Sequence, residues 1–464
     1  MAQAVIFDAD LVRRYSVAGP RYTSYPTAVQ FHEGFDADLY RRHITISNDE
    51  LIPAPLSLYV HLPFCHSLCY YCGCTKKVTN NDSHGVRYLH LLAKEIVQQA
   101  ALFDSDREVT QLHFGGGTPT FFDDIQLEQL MSWLRGGFAL DKSPEREFSI
   151  EIDPRTVDPA RLQTLADFGF NRISLGVQDT DPEVQHAVNR MQHPQATLQL
   201  VGHARRQGFN SVSIDLIYGL PRQSLASFEK TLELVTQARP DRLAVYNYAH
   251  MPHMFRAQRM INDADLPSAE TRLALMELTI NKLADSGYRY IGMDHFALPD
   301  DELSRAQQAG HLQRNFQGYS TRSECDLIGL GVSAIGKIGD CYAQNLKEIP
   351  RWSAAVESAE LPIWRGLSLS AEDLLRRSII ESIMCHGKVD FVAFENRFEL
   401  DFSDYFAPEL SRLKQLNNDG LIDLDEAGLQ ATSAGRVLLR HVAMVFDQYL
   451  PQTATDPKRF SQVI

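Results

Sequence analysis

Short apolar runs alternate with amphipathic segments between residues 56 and 286. The runs with strand character are LSLYVHL (56–62), VTQLHF (109–114), FSIEID (148–153), RISLGVQ (172–178), SVSIDLIYG (211–219) and RLAVYNYA (242–249). Apolar residues recur at helical spacing after each run. Near-continuous apolar strands are typical of a parallel sheet that helices cover on both faces. Six such units predict an α/β fold, an incomplete TIM-like (β/α)6 barrel, with a doubly wound open sheet as the alternative.

The flanking regions lack this alternation. Residues 1–50 have no clear period, and residues 290–345 are glycine-rich and irregular. Helical spacing returns at 371–385, 391–398 and 405–417, before two short strands and a last helix. We therefore expect an N-terminal segment or lid at 1–50, a barrel with its connecting region at 51–345, and a mostly helical, winged-helix-like domain at 346–464. That domain carries no basic stripe, so we expect it to pack or act as a lid rather than bind DNA.

Composition narrows the classes of partner. The 464 residues include 45 basic and 59 acidic side chains, a net charge of -14, which argues against nucleic-acid or anionic-membrane binding. Acidic residues interrupt the first apolar stretch, so it is not a signal peptide, and no apolar run is long enough to span a membrane. The sequence predicts a cytoplasmic monomer without membrane or nucleic-acid partners.

Four of the seven cysteines crowd into residues 65–74. Cys65, Cys69 and Cys72 form a C-x3-C-x2-C pattern after the first predicted strand, at the end where barrels place active sites. A [4Fe-4S] cube needs four ligands, so three thiolates leave one iron open, as catalytic metal centres do. The alternative is a zinc site that adds Cys74 or His66.

Polar or glycine residues also end the other predicted strands. The loop GGGTPT (115–120) would let backbone groups approach a ligand closely, although a tight turn would use the same glycines. Glu151, Gln178 and Asp215 occupy corresponding strand ends and are expected to face the site, with capped turns as the alternative. The strand and loop histidines, including His113, lack paired metal-binding spacing and are expected to be hydrogen-bonded within the fold. His61, two residues after Tyr59 on the same strand face, is the exception and is expected near the cluster.

The cysteine pattern resembles the radical S-adenosylmethionine (SAM) superfamily. The added C-x-C at Cys74 resembles the oxygen-independent coproporphyrinogen III oxidases (coproporphyrinogen dehydrogenases). So do GPRYTSYPTA, QLHFGGGTPT, IEIDPRT, ISLGVQD, SIDLIYGLP, RNFQGYST and the C-terminal helical module, in order from about residue 15 to 450. The resemblance implies one [4Fe-4S] cluster per chain, held by Cys65, Cys69 and Cys72, with Cys74 outside the ligand set.

The resemblance also implies two SAM molecules per chain. The residues implied for the SAM on the open iron are Tyr59, Gly115, Glu151 and Ile335. Those implied for the second SAM are Tyr71, Gly116, Gly117, Thr118, Gln178, Arg190, Asp215 and Ala249. Substrate carboxylates would face Arg21 and Gln317, and GPRYTSYPTA is expected to be a lid, because its aromatic residues have no evident core to fill; a strap packed on the barrel is the alternative.

The activity implied by the resemblance belongs to heme biosynthesis. A 5′-deoxyadenosyl radical would remove hydrogen from the β-carbon of a propionate, and loss of CO₂ and one electron would leave a vinyl group. Two rounds convert coproporphyrinogen III to protoporphyrinogen IX, with a low-potential donor such as flavodoxin or ferredoxin and no protein side chain assigned as catalytic. The alternatives are a heme-binding chaperone relative, which should lack Cys74 and GPRYTSYP, a radical SAM methyltransferase acting on heme, and a zinc-dependent DNA-binding regulator.

Overall fold

The computed structural model describes residues 5–322 and 324–450. Its strands are β1 Leu56–Leu62, β2 Phe64–Cys65, β3 Lys77–Val78, β4 Glu108–Gly116, β5 Ala139–Leu140, β6 Glu147–Ile152, β7 Arg172–Gln178, β8 Ser211–Tyr218, β9 Arg242–Asn247, β10 Arg289–Gly292, β11 His295–Ala297, β12 Gln313–Asn315, β13 Gly318–Ser320, β14 Asp326–Leu330, β15 Ile335–Ile338, β16 Cys341–Asn345, β17 Ile363–Ser368, β18 Lys388–Asp390, β19 Ile422–Leu424 and β20 Gly428–Ala431. Its α-helices are α1 Ala9–Arg14, α2 Ala37–Asn48, α3 Asp82–Ala100, α4 Asp124–Gly137, α5 Pro159–Asp167, α6 Pro182–Ala187, α7 Pro194–Arg206, α8 Leu225–Ala238, α9 Ala269–Asp285, α10 Glu302–Ala309, α11 Ile349–Glu357, α12 Ala371–His386, α13 Phe391–Phe398, α14 Phe402–Tyr405, α15 Ala407–Asn418 and α16 Leu439–Val445.

The contacts divide the chain into two compact units, each built from separate stretches of sequence. We call Phe31–Ser268 with Glu324–Ser368 the barrel unit, and Met1–Gln30, Ala269–Ser323 and Leu369–Ile464 the helical unit. The division into domains at 1–50, 51–345 and 346–464 remains a prediction. No helix in the described part of the chain is long and apolar enough to cross a membrane.

The barrel unit contains all six predicted strands as neighbours in one parallel sheet. Their order is β1, β4, β6, β7, β8 and β9, and α3 to α8 lie in the connections between them. In the register, Tyr59 lies beside His113, His113 beside Ser149, and Glu151 beside Ser174. The carboxyl ends of these strands therefore meet at one edge, and the predicted partial (β/α) barrel is confirmed.

The same sheet continues beyond β1, where the sequence predicts irregular structure. β14 pairs with β1 in parallel, and β15, β16 and β17 follow in antiparallel order. Glycines allow these strands to approach closely, because a Cβ on Gly336 would lie 2.6 Å from the carbonyl oxygen of Leu327. The expectation of an irregular region at 290–345 is wrong, since glycines that suggest loops are required here by strand packing.

Two N-terminal helices were also missed. The helices α1 and α2 begin within two nearly identical sequences, FDADLVRR at residues 7–14 and FDADLYRR at residues 35–42. In both, an aspartate caps the N-terminus: Asp8 accepts hydrogen bonds from the amides of residues 10 and 11, and Asp36 accepts them from residues 38 and 39. The repeated capping aspartate was the available signal for helices within residues 1–50.

The helical unit encloses its own apolar core. Helices α12 to α16 pack around a small sheet of order β18–β20–β19, and β10–β11 and β12–β13 form hairpins. Tyr22 and Tyr25 are buried in this core; Tyr22 Oη donates to Asp447 at 2.9 Å, and Tyr25 Oη accepts from the amide of Gln448 at 3.1 Å. The expectation that the aromatic residues of GPRYTSYPTA lack a core to fill is wrong, because the core of the helical unit receives them.

Candidate active site

The cysteine loop follows β1 and is closed at its base by strand pairing. β2 pairs with β3 in parallel, and the amide of Thr79 donates to the carbonyl of Cys65 at 3.0 Å. The chain between these strands carries Cys69 and Cys72. With Cys65, their side chains line a cavity of about 500 Å³, a size typical of small-molecule sites.

Most of the predicted site residues come together on this cavity. Its lining includes the predicted residues Cys65, Cys69, Tyr71, Cys72, Gly116, Gly117, Thr118, Glu151, Gln178, Arg190 and Asp215. They come from the cysteine loop, from the carboxyl ends of β4, β6 and β7 or just beyond them, from the middle of β8 and, for Arg190, from the segment after α6. The structure thus brings these predicted residues together on one cavity, and their roles remain predictions.

Four of the residues predicted to contact SAM lie outside the cavity lining. The ring of Tyr59 stacks on His113 at a centroid distance of 5.8 Å, and Gly115 lies under Glu151, whose carboxyl carbon would be 3.0 Å from a Cβ. The carbonyl of Ala249 accepts from Gln258 Nε2 at 3.1 Å. Ile335 begins β15 and pairs with Gln344. The two predicted substrate residues, Arg21 and Gln317, belong to the helical unit.

Two guanidinium groups converge on the sulfur of Cys69. Arg190 Nη1 lies 3.4 Å from Cys69 Sγ and Arg155 Nη2 lies 3.8 Å from it. Asp153 holds both, accepting from Arg155 at 2.6 Å and from Arg190 at 3.1 Å. Thr118 Oγ1 donates to the sulfur of Cys65 at 3.5 Å. The thiol positions are thus surrounded by donors that would stabilise thiolates.

The thiols titrate differently because their surroundings differ. Burial raises the pKa of the Cys65 thiol to about 11. The side-chain hydrogen bond from Cys74 lowers the pKa of Cys72, and the positive charge of Lys76 acts in the same direction. The same bond raises the pKa of Cys74, which therefore keeps its proton and donates it. In this arrangement the hydrogen bond from Cys74 favours the thiolate form of Cys72.

Two carboxyl groups line the cavity, and their pKa values are shifted in opposite directions. Burial acts to raise the pKa of Glu151, but the hydrogen bond and charge of His113 and the amide of Gly116 hold it below its usual value. His113 Nε2 lies 3.3 Å from Glu151, while its Nδ1 bonds Ser149 at 2.6 Å. Burial and the charge of Glu151 raise the pKa of Asp215 to about 7. Glu151 is the stable anion of the two.

The close contact between the loop GGGTPT and the segment before Cys65 requires glycine. A Cβ on Gly117 would lie 2.7 Å from the carbonyl oxygen of Phe64, and Gly116 adopts a φ of 112°, which side chains disfavour. The amide of Gly117 donates to Leu62 at 2.9 Å. The glycines therefore bring β4 against the segment that precedes the first cysteine.

Several site residues were not singled out from the sequence. Asp153 and Arg155 lie in IEIDPRT just beyond β6 and line the cavity, and their position after a strand was the available signal. Gln258 is 2 % exposed and joins the carbonyls of Tyr71 and Ala249 at 3.0 and 3.1 Å. No local pattern marks Gln258. His113 is hydrogen-bonded within the fold, as predicted, and also contacts Glu151.

The side chains present fit a cluster with three protein ligands and an organic cofactor beside it. Four thiols from one loop line the cavity: Cys65, Cys69 and Cys72 in the C-x3-C-x2-C spacing, and Cys74, which is exposed. Arg190, 6 % exposed, has a buried Nε without a hydrogen-bond partner. Within residues 5–322 and 324–450, no three histidine, cysteine or acidic side chains converge tightly enough for a single metal ion. A [4Fe-4S] cluster distributes its cysteine ligands over different irons and so tolerates wider spacing.

Comparisons with known proteins agree with this geometry. The radical SAM superfamily matches residues 59–235, and the HemN C-terminal domain matches residues 369–438. Oxygen-independent coproporphyrinogen III oxidase of Escherichia coli K12 is 48% identical over 462 residues, covering 100% of this chain and 99% of that protein. The Pseudomonas aeruginosa enzyme of the same name is 48% identical and covers 100% of both chains.

A solved structure extends the similarity to three dimensions. The structure of coproporphyrinogen III oxidase (HemN) from Escherichia coli, described as a radical SAM enzyme, superposes with a TM-score of 0.91 at 48% identity. It covers 97% of this chain and 100% of that one. On sequence and fold over its whole length, this chain belongs to the family of oxygen-independent coproporphyrinogen III oxidases within the radical SAM superfamily.

Proposed function

We propose that this chain converts two propionate side chains of coproporphyrinogen III to vinyl groups without O₂, giving protoporphyrinogen IX. The observation that carries the proposal is full-length similarity to coproporphyrinogen III oxidases in a chain whose three C-x3-C-x2-C thiols line one cavity. When bound there, a [4Fe-4S] cluster and SAM supply the radical that removes hydrogen from the propionate. The chain's own residues bind, orient and shield the reactants.

Cys65, Cys69 and Cys72 would hold the cluster, and Cys74 would stay outside the ligand set. The support is that Cys74 is the exposed thiol of the four and stands outside the C-x3-C-x2-C spacing. Thr118, Arg155 and Arg190 donate toward ligand sulfurs. Hydrogen bonds to cluster sulfurs are a principal means by which proteins set reduction potential.

The proposal includes two SAM molecules per chain, and polar side chains on the cavity support it. Glu151, held anionic by His113 and Gly116, is suited to a cationic amino group near the cluster. Farther along the strand order, Arg190 has an unpaired buried Nε for a carboxylate, and Gln178 and Asp215 line the wall beside it. The proposal also assigns SAM contacts to four residues outside the cavity lining. These residues are Tyr59, Gly115, Ala249 and Ile335.

The remaining features follow from this chemistry. Cleavage of SAM at the cluster requires one electron, which a low-potential donor such as flavodoxin or ferredoxin would supply to the monomer. The cysteines of the described chain are free thiols, which fits the reducing cytoplasm.

Anaerobic turnover with coproporphyrinogen III tests the proposed function. The reconstituted protein, with SAM, dithionite and an added one-electron acceptor for the substrate radical, should release two CO₂ per protoporphyrinogen IX formed and accumulate 5′-deoxyadenosine. A methyltransferase would instead yield S-adenosylhomocysteine and a methylated tetrapyrrole, and a chaperone relative would bind heme without turnover. Either outcome would overturn the proposal.

A further inference from the structure

Arg314 is a buried cation in the helical unit with unused donors. It lies on β12 directly opposite Tyr319 on β13, with its guanidinium 4.8 Å from the centre of the tyrosine ring. The residue is 7 % exposed, and its Nε and Nη1 are buried without a hydrogen-bond partner. Arg314 also hydrogen-bonds the side chain of Tyr319, which is neutral, so the buried positive charge still lacks an anion to offset it.

The neighbouring charges do not supply that anion. Asp294 pairs with Arg21. Arg440, 5 % exposed, directs its donors to the carbonyls of Pro20 at 2.9 Å and Gly19 at 2.5 Å. Burial lowers the pKa of Arg440 to about 9, and the positive charges of Arg21 and Arg314 act in the same direction, so both lie within electrostatic range of Arg440. Asp294, the carboxylate in this cluster, is therefore already paired with Arg21.

A second unused donor lies on the same hairpin. Gln317 is in the turn between β12 and β13, three residues after Arg314, and its Nε2 is buried without a hydrogen-bond partner. A guanidinium fork and an amide donor are the groups that recognise a planar carboxylate. Arg21 differs from Arg314 in that its positive charge is already neutralised by Asp294.

We propose that Arg314 and Gln317 form a carboxylate-binding subsite that receives a propionate of the tetrapyrrole substrate. The proposal rests on the proposed function, because coproporphyrinogen III supplies the four carboxylates. It moves the substrate contact predicted at Arg21 to Arg314, and Arg440 positions the segment that carries Arg21. A free inorganic anion such as phosphate has related chemistry and is the other source of charge for this subsite.

The test uses the cluster-loaded full chain and two variants at this position. Arg314→Met removes the charge while keeping an apolar side chain of related length, and Arg314→Lys keeps the charge without the fork. Arg397→Met, an exposed arginine of the same unit, is the matched control. Anaerobic fluorescence titration with coproporphyrin III, the stable oxidised form of the substrate, measures affinity, and thermal unfolding without ligand measures stability.

We expect coproporphyrin III to bind about tenfold or more weakly to Arg314→Met, with a smaller loss for Arg314→Lys and none for Arg397→Met. Iron content and dithionite-driven SAM cleavage should be unchanged. The melting temperature of Arg314→Met should equal or exceed that of the unmodified chain, because an unpaired buried charge is removed. A lower melting temperature, or failure to fold, would assign Arg314 a structural role and overturn the proposal.

The remaining outcomes separate this subsite from the proposed function. Unchanged coproporphyrin III affinity in Arg314→Met would overturn the subsite alone. If the unmodified chain binds no coproporphyrin III, the proposed function itself fails. Competition by inorganic phosphate at constant ionic strength, lost in Arg314→Met while coproporphyrin III affinity is kept, would identify a free-anion site and overturn the propionate assignment.

Discussion

Removal of the Arg155 guanidinium should make the cluster harder to reduce. Arg155 Nη2 lies 3.8 Å from the sulfur of Cys69, and its side chain is 24 % exposed. A positive charge beside a cluster ligand favours the added electron, so its loss shifts the midpoint potential to more negative values. The Arg155→Gln variant keeps a hydrogen-bonding amide at this position and removes the charge.

The magnitude follows from the distance and the local compensation. A unit charge about 4 Å away contributes about 4 kcal/mol at an effective dielectric constant of about 20. Asp153, which accepts from Arg155 at 2.6 Å, opposes this charge, and solvent screens part of it. We therefore expect a net effect of about 1–3 kcal/mol, or about 40–130 mV for a one-electron couple.

Spectroelectrochemical titration of the reconstituted protein, followed by electron paramagnetic resonance of the reduced cluster, measures this shift. Arg87→Gln, whose side chain is 70 % exposed and pairs with Glu357, is the matched control and should leave the potential unchanged. Iron and sulfide content should stay constant in both variants. An unchanged or more positive potential in Arg155→Gln, with its cluster intact, would refute the electrostatic reasoning.

Three further predictions test other parts of the account. Cys65→Ser, Cys69→Ser and Cys72→Ser should each lose the cluster and all activity, whereas Cys74→Ser should retain its iron; iron assay and visible absorption decide, and loss of iron from Cys74→Ser would make Cys74 a ligand. Equilibrium dialysis under anaerobic conditions should give two SAM per chain and one for Asp215→Ala, so a single SAM in the unmodified chain would contradict the second pocket. Burial and the charge of Arg440 lower the pKa of His441 to about 4, below the unfolded value of about 6.5, so the unfolded chain binds the extra proton first as pH falls. The free energy of unfolding of the native chain therefore decreases as pH falls from about 6.5 to about 4. At pH 4 this loss is about 3 kcal/mol, and the His441→Leu variant should not show it in urea unfolding. Parallel pH profiles for the unmodified chain and the variant would show that His441 does not cause the loss.

The barrel was predictable because its strands carry their signal locally. β1 and β7 match the predicted runs, residues 56–62 and 172–178, because buried apolar residues make up most of β1 and recur along β7. β14 to β17 were not predictable in the same way. These strands have four to six residues each and include glycine in three cases, and their pairing depends on partners distant in sequence. Their place in the sheet is a tertiary property.

The site was predictable to the extent that topology alone determines it. Glu151, Gln178 and Asp215 share one cavity because parallel strands bring their carboxyl ends to one edge. The convergence of Arg155 and Arg190 on Cys69 depends on Asp153, and sequence spacing does not contain that contact. Arg21 appeared free for a substrate because its pairing with Asp294, 273 residues away, is invisible in the sequence.

Transfer of deuterium from substrate to cofactor tests the central claim most directly. Coproporphyrinogen III deuterated at the β-carbons of its propionates would be turned over anaerobically with SAM, and 5′-deoxyadenosine would be analysed by mass spectrometry. We predict that 5′-deoxyadenosine gains one deuterium for each CO₂ released, and that Cys69→Ser yields neither product. Formation of protoporphyrinogen IX with no deuterium in 5′-deoxyadenosine would contradict hydrogen abstraction by a SAM-derived radical in this chain.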